Sequence, residues 1–154
     1  MKQSYLPYWY GTCIAAAAIA FFILLSLFDL HTNPFYSAAN IIFFGAGLFL
    51  LGLKCKNTAN GDFKYQYGFL AMFKAGVFAT LIISAVFLLY ITELNTSFLA
   101  EMLTVWKEGY SITPNIVVFG LVLMGLSTSL VFSLIHMQLF KKSWNTEKGE
   151  KHTL

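Results

Sequence analysis

Residues 114–140 read PNIVVFGLVLMGLSTSLVFSLIHMQLF and contain no Asp, Glu, Lys or Arg. A helix of about 20 apolar residues crosses the roughly 30 Å of hydrocarbon in a bilayer, so this stretch is long enough to span a membrane. Three more uncharged stretches precede it, between Lys2 and Asp29, between Asp29 and Lys54, and between Lys74 and Glu93. The pattern predicts four membrane spans.

The composition is typical of a membrane protein. Of the 154 residues, 58% are hydrophobic and 11% are charged, whereas charged residues make up about a quarter of a soluble domain. Each span must satisfy its own backbone hydrogen bonds in lipid, and runs of this length favour helices over barrel strands, which need only about 10 alternating residues. We therefore expect an all-α membrane protein, a single domain over residues 1–154 with four transmembrane helices in a bundle.

Local signals indicate where the spans begin. Asn33 and Thr113 are each followed by a proline, which is favoured in the first turn of a helix because its missing N–H costs nothing there. We predict spans at about 8–30, 34–53, 67–91 and 114–140, and a cytoplasmic tail at 141–154.

The lysines predict the orientation. Lys107 is alone on one side of the membrane, and the other side holds Lys2, Lys54, Lys56, Lys64, Lys141, Lys142, Lys148 and Lys151. Because cytoplasmic loops are enriched in lysine and arginine, both termini are expected in the cytoplasm. The net charge is +3 but the chain has no arginine, which argues against nucleic-acid recognition and favours the anionic membrane lipids of the inner leaflet as partners.

No catalytic, metal or nucleotide motif is present in the sequence. His31, His136 and His152 are scattered without a second ligand at helical spacing, so no metal site is predicted. General acid–base catalysis needs titratable groups positioned at one site, and only Lys74 and His136 meet that condition, and only loosely. We expect a protein with no cofactor and no enzymatic activity.

Lys74 is the one charge inside a predicted span. It follows Tyr67 by about seven residues, or roughly 10 Å along a helix axis. A lysine near the membrane edge can extend its side chain to the interface, or it can bind a lipid phosphate. His136 is expected at a similar depth, and the neighbouring loop carries two more lysines. The candidate lipid-phosphate residues are therefore Lys74, His136, Lys54 and Lys56.

The loop between spans three and four has a helical pattern. Leu94, Phe98 and Met102 recur at helical spacing, and the pattern continues to Val105 or Trp106. We expect a short amphipathic helix on the outer surface, which either covers the bundle or docks another protein.

Small residues mark helix-packing faces, because they allow backbones to approach closely in lipid. Gly45 and Gly47 of span two can serve this bundle or a partner, which would be another membrane protein or a second copy of the chain. The candidate partner-contact residues are Gly45, Gly47, Leu94, Phe98, Met102 and Trp106. Two further stripes are expected to meet each other, Ala71, Ala75 and Ala79 on span three and Gly125, Ser129 and Ser133 on span four.

Residues 52–76 contain a distinctive set of positions. Gly52-Leu53-Lys54 ends span two, Gly61 lies in the loop, and Phe69-Leu70-Ala71-Met72-Phe73-Lys74-Ala75-Gly76 opens span three. In these features the chain resembles a family of small four-span inner-membrane proteins of Bacteroidota known only as a domain of unknown function. It departs from that family at Lys56, where arginine is common, and at Gly68, where a small hydroxyl residue is common. The resemblance implies a bacterial inner (cytoplasmic) membrane, a four-helix fold and no established activity.

Two functions remain open. We interpret the chain first as a non-catalytic small subunit or scaffold of a larger inner-membrane complex, because catalytic motifs are missing and packing faces are present. The alternative is a lipid-handling or transport helper that recognises an anionic or polyprenyl-phosphate lipid through Lys74, His136 and the loop lysines.

Overall fold

The structure is a computed structural model that describes residues 3–59, 63–106 and 113–140, and Lys107 and the predicted tail at 141–154 lie outside these ranges. Every regular element in the described ranges is helical, which confirms the all-α class. A 3₁₀ turn at Gln3–Tyr5 precedes α1 (Leu6–Leu27), α2 (Pro34–Ala38), α3 (Asn40–Thr58), α4 (Tyr65–Leu89), α5 (Phe98–Trp106) and α6 (Pro114–Phe140). A π-helical turn at Tyr90–Leu94 continues α4 directly.

Four of these helices are long and apolar enough to cross a membrane, as predicted. They are Leu6–Leu27, Asn40–Thr58, Tyr65–Leu94, which includes the π-helical turn, and Pro114–Phe140. The chain therefore has the composition and helix lengths of a multi-pass membrane protein.

The second span differs most from its predicted bounds. The side-chain oxygen of Asn33 accepts a hydrogen bond from the Phe35 N–H at 3.0 Å, but the helix is interrupted at Ala39 before α3 begins. α3 then continues beyond the predicted end at residue 53 as far as Thr58. Cys55 explains this extension, because it is only 2% exposed and prolongs the buried face of α3 past Lys54.

Helix α4 has the central position in the packing. It contacts α1, α3 and α6, and α3 also contacts α1 and α6. Gly11 of α1 lies against Ala75 of α4, and further along both helices Phe22 packs against Phe87 with ring centroids 5.8 Å apart. The order of these two contacts shows that α1 and α4 run parallel.

Small residues bring α4 and α6 together. Ser129 lies against Gly76, and a Cβ at Gly125 would stand 2.5 Å from the side chain of Thr80. The order of these contacts makes the two helices antiparallel. Gly125 and Ser129 of α6 thus face α4, where they lie against Thr80 and Gly76. The alanine stripe of α4 is buried within the chain, and its Ala75 carbonyl oxygen lies close to Gly11 of α1.

Three buried hydroxyls at this contact are satisfied within their own helices. Thr80 Oγ1 donates to the Gly76 carbonyl at 2.9 Å. Ser129 and Ser133 each donate to a carbonyl one turn earlier, at 2.6 Å. Since lipid tails are as apolar as the side chains they touch, close contact rather than transfer out of water holds such helices together.

The buried side chains form two groups. The larger lies among the four long helices, and its least exposed large side chains, at 1% or less, are Leu48, Leu51, Met72 and Met137. The smaller lies where α1 and α4 end and where α5 begins. We call it the His31 cluster, and it consists of His31, Phe22, Phe87, Tyr90 and Phe98. This cluster attaches α5 to the ends of α1 and α4.

Candidate functional site

Lys74 lies on the exposed face of α4. Met72 packs against Gly52 of α3, and at 100° per residue Lys74 stands about 200° round the helix from Met72. Leu70 and Leu81 share the side of Lys74 and are 48% and 55% exposed. The lysine therefore faces the surroundings of the protein and points away from α3.

His136 lies on α6, and its side chain is enclosed where α6 packs against α3. Its ring stacks on Phe132 with centroids 5.6 Å apart and meets Phe49 of α3 edge-on at 5.4 Å. The side chain is 7% exposed, and its Nδ1 has no hydrogen-bond partner among the described residues. Aromatic rings surround His136, so it is not open to a lipid headgroup.

The structure does not bring Lys74 and His136 together. Met137 lies against Gly68 across the antiparallel contact of α4 and α6, so His136 is level with about residue 69 of α4. Lys74 is about five residues further along, or roughly 7.5 Å, on the opposite side of α4 from α3. The pair therefore differs in depth and in the direction that each side chain faces.

Lys54 and Lys56 are exposed near the end of α3. The Lys56 ammonium stands 5.5 Å from the centroid of the Phe140 ring, a cation–π geometry that gives this lysine a contact within the protein. A cation in the last turn also interacts favourably with the carbonyl end of its helix. Because α3 lies on the other side of α4 from Lys74, the predicted lipid-phosphate residues occupy separate places.

Gly45 and Gly47 both lie at contacts between helices of this chain. A Cβ at Gly45 would stand 3.1 Å from the ring of Phe132 on α6, and a Cβ at Gly47 would collide with Ile14 of α1. The two glycines let α3 approach two different helices, one on each side. The sequence left two roles open for these positions, packing within the chain and contact with a partner. The structure shows packing within the chain.

The predicted partner-contact residues between spans three and four differ in their exposure. Phe98 is 2% exposed and Met102 is partly buried beside it, so both face the protein. Leu94, at the end of the π-helical turn, is 78% exposed. Trp106 ends α5, and its side chain lies outside what the structure describes. Leu94 is thus the described residue of this set that is free for an external contact.

His31 has a position that the sequence did not indicate. It is 7% exposed, its ring stacks on Phe98 at 5.3 Å, and it meets Phe22 edge-on at 5.9 Å. Neither ring nitrogen has a hydrogen-bond partner among the described residues. The surrounding rings come from α1, α5 and the π-helical turn, which are far apart in sequence, so no local pattern could have revealed the cluster.

The His, Cys, Asp and Glu side chains are dispersed over the described part of the chain. No group of three or more His, Cys, Asp or Glu side chains there is placed to hold a metal ion. Cys13 and Cys55 are both free thiols, the first exposed on α1 and the second buried on α3.

Comparison of the chain with protein-family models, curated proteins and solved structures finds no match.

Proposed function

We propose that this chain is a non-catalytic integral membrane protein, a small subunit or scaffold of a larger inner-membrane complex. The four long helices form one bundle, α5 lies on its outer side as an amphipathic helix, and both termini are cytoplasmic. The lysines near the end of α3 and in the following loop support this orientation. The resemblance of residues 52–76 to the four-span Bacteroidota family supports a bacterial inner membrane.

The observation that carries the proposal is the exposure of α6. A smaller share of α6 is buried within the chain than of the other three long helices. Ile116, Leu123 and Leu130 recur at intervals of seven residues on one face and are 62%, 49% and 42% exposed. A Cβ added at Gly120, on the same side, would meet no atom of the described residues within 4 Å. We call this surface the α6 outer face, and its shape permits close packing of another transmembrane helix.

Gly120 differs from the other helical glycines in the described ranges. At each of the others, an added Cβ would come within 4 Å of a neighbouring side chain or backbone atom. Their small size is thus already used for contacts inside the chain. The α6 outer face is the place where a glycine remains available to a partner, which would be another membrane protein or a second copy of the chain.

The separation of reactive groups supports a non-catalytic role. Lys74 is exposed on α4, whereas His136 is enclosed by rings on α6. The hydroxyls of Ser129 and Ser133 donate to carbonyls of their own helix. General acid–base or nucleophilic catalysis requires such groups to converge on one reacting atom.

Site-specific photocrosslinking in native membranes tests the proposal. A photoreactive residue is placed at Ile116, Leu123 or Leu130 of the full chain, and a matched control is placed at Leu81 on the exposed face of α4. We expect the three α6 positions to crosslink to one and the same protein, identified by mass spectrometry, and Leu81 not to do so. Crosslinks to lipid alone at all three α6 positions would show that lipid covers this face and would overturn the proposal.

A lipid-handling or transport helper is the second candidate, and the position of Lys74 favours it. An ammonium exposed on a membrane helix is stabilised by a counter-charge at the headgroups, and an anionic or polyprenyl-phosphate lipid supplies one. For this function we expect Lys74→Ala to abolish activity in cells while the amount of folded protein stays unchanged. Full activity of the variant would rule this candidate out.

A further inference from the structure

Helices α1 and α4 form a groove on the side of α4 that faces away from α3. Gly11 allows the two helices to approach, since a Cβ there would stand 2.7 Å from the Ala75 carbonyl oxygen. The ring of Tyr8 meets the ring of Phe78 edge-on, with centroids 5.3 Å apart. Phe78 follows Lys74 by one helical turn and therefore lies on the same side of α4. Tyr8 and Phe78 are in contact and Lys74 is one turn from Phe78, so the three share one surface beside the α1–α4 contact, and this surface is what we call the groove.

Tyr8 and Lys74 lie at nearly the same depth. Gly11 is level with Ala75 and Phe78, so Tyr8, which precedes Gly11 on the parallel helix α1, is level with about residue 74. Tyr8 is 49% exposed, and Lys74 is also exposed. Helical side chains tilt toward the N-terminus of their helix. Because α1 and α4 begin at the same end, the Tyr8 hydroxyl and the Lys74 ammonium extend toward that one end.

The described acidic side chains are far from Lys74. Asp29 follows the end of α1, Glu93 lies in the π-helical turn after α4, and Glu101 lies on α5. All three are at the opposite end of the long helices from the groove. A charged side chain within a membrane span is costly unless it meets a partner or reaches the interface. Lys74 is exposed, so the headgroup of a surrounding lipid can reach its ammonium.

We propose that Lys74 and Tyr8 bind the phosphate of an anionic phospholipid in the groove between α1 and α4. The ammonium pairs with one phosphate oxygen, the Tyr8 hydroxyl donates to a second, and the Phe78 ring holds the tyrosine in place. The proposal rests on the second candidate function and narrows its site, because His136, Lys54 and Lys56 take no part. The ligand is a lipid, since the groove opens toward the space that acyl chains fill around a membrane helix.

Native mass spectrometry of the full chain in mild detergent, with equal amounts of phosphatidylglycerol and phosphatidylcholine, tests the site. We expect the natural protein to retain phosphatidylglycerol in preference. Lys74→Ala should lower this retention about fivefold, as expected for one lysine near an anionic headgroup, and Tyr8→Phe should lower it severalfold. Lys54→Ala and Tyr36→Phe are matched controls away from the groove, and both should retain the lipid as the natural protein does.

Three results would overturn the proposal. Equal retention of the two lipids by the natural protein would show no site, and an equal loss in Lys54→Ala would show only general attraction of charge. Displacement of the lipid by excess inorganic phosphate would assign the groove to a soluble anion. If Lys74→Ala loses its helical circular dichroism signal, the retention of phosphatidylglycerol by Tyr8→Phe decides the outcome, because this substitution removes only a hydroxyl. Unchanged retention by Tyr8→Phe would then overturn the proposal. Photocrosslinking at the α6 outer face is a separate measurement that does not depend on lipid retention. Failure of the lipid site can therefore be distinguished from failure of the subunit proposal.

Discussion

Ser129 of α6 occupies the space into which any side chain at Gly76 of α4 would have to extend. The Ser129 hydroxyl meanwhile donates to the Gly125 carbonyl of its own helix at 2.6 Å. The serine thus contributes a small volume to the contact between the two helices while its polar group is satisfied along α6. This pair sets how closely α4 and α6 approach.

Replacing Gly76 should therefore weaken the protein. We expect Gly76→Ala to lower the free energy of unfolding by about 1–3 kcal/mol, because overpacking pushes α4 and α6 apart. Gly120→Ala is the matched control, and it should be neutral or raise stability by up to about 1 kcal/mol through helix propensity. Unfolding in mixed detergent and dodecyl sulfate measures both. A Gly76→Ala protein as stable as the control would contradict the close contact.

Gly45 allows its internal role to be separated from a role in partner binding. A Cβ at Gly45 stands 3.1 Å from the Phe132 ring, so Gly45→Leu should destabilise the isolated protein by about 1–3 kcal/mol. Adding Phe132→Ala opens space for the leucine, and the double-mutant cycle should show a coupling of about 0.5–3 kcal/mol. If Gly45 instead serves a partner, Gly45→Leu will leave the isolated protein unchanged and weaken only the complex.

Phe98 and Leu94 offer a second matched pair. Phe98→Ala should cost about 3–5 kcal/mol, because a side chain that is 2% exposed leaves a cavity in the His31 cluster. Leu94→Ala, at 78% exposure, should stay within about 0.5 kcal/mol of the natural protein. Hydrogen exchange of the α5 amides reports the local effect. Unchanged exchange in Phe98→Ala would mean that the cluster does not hold α5.

His31 is a buried polar residue in an aromatic environment. His31→Phe should raise the stability by about 1–2 kcal/mol, because the phenyl ring can keep the stack on Phe98 and removes ring nitrogens that lack a partner among the described residues. His31→Ala should lower the stability, since it leaves a cavity. Thermal unfolding in detergent compares the two variants. A destabilised His31→Phe protein would show that the nitrogens make a favourable contact.

Some features of the fold could be read directly from the chain. The uncharged run at 114–140 coincides with α6, and a helix begins at Pro34 as predicted, where Asn33 accepts a hydrogen bond from the Phe35 N–H. The break at Ala39 and the extension of α3 to Thr58 could not be read, because they depend on contacts with other helices. The candidate sites were harder to predict from the sequence than the helices. Lys74 was correctly singled out as a charge within a span, but its position on the exposed face of α4, apart from His136, follows only from the packing of the helices.

The sequence by itself determined that the chain is helical and has four segments long enough to cross a membrane. The physical reason is local, because hydrocarbon excludes charge and each span must satisfy its own backbone hydrogen bonds. Only the tertiary structure decided that Gly45 and Gly47 face inward, that His136 is enclosed and that no other described segment covers the α6 outer face. Lipid tails and apolar side chains attract a helix face almost equally. Composition therefore cannot tell which face meets protein, and only the contacts between distant segments do so.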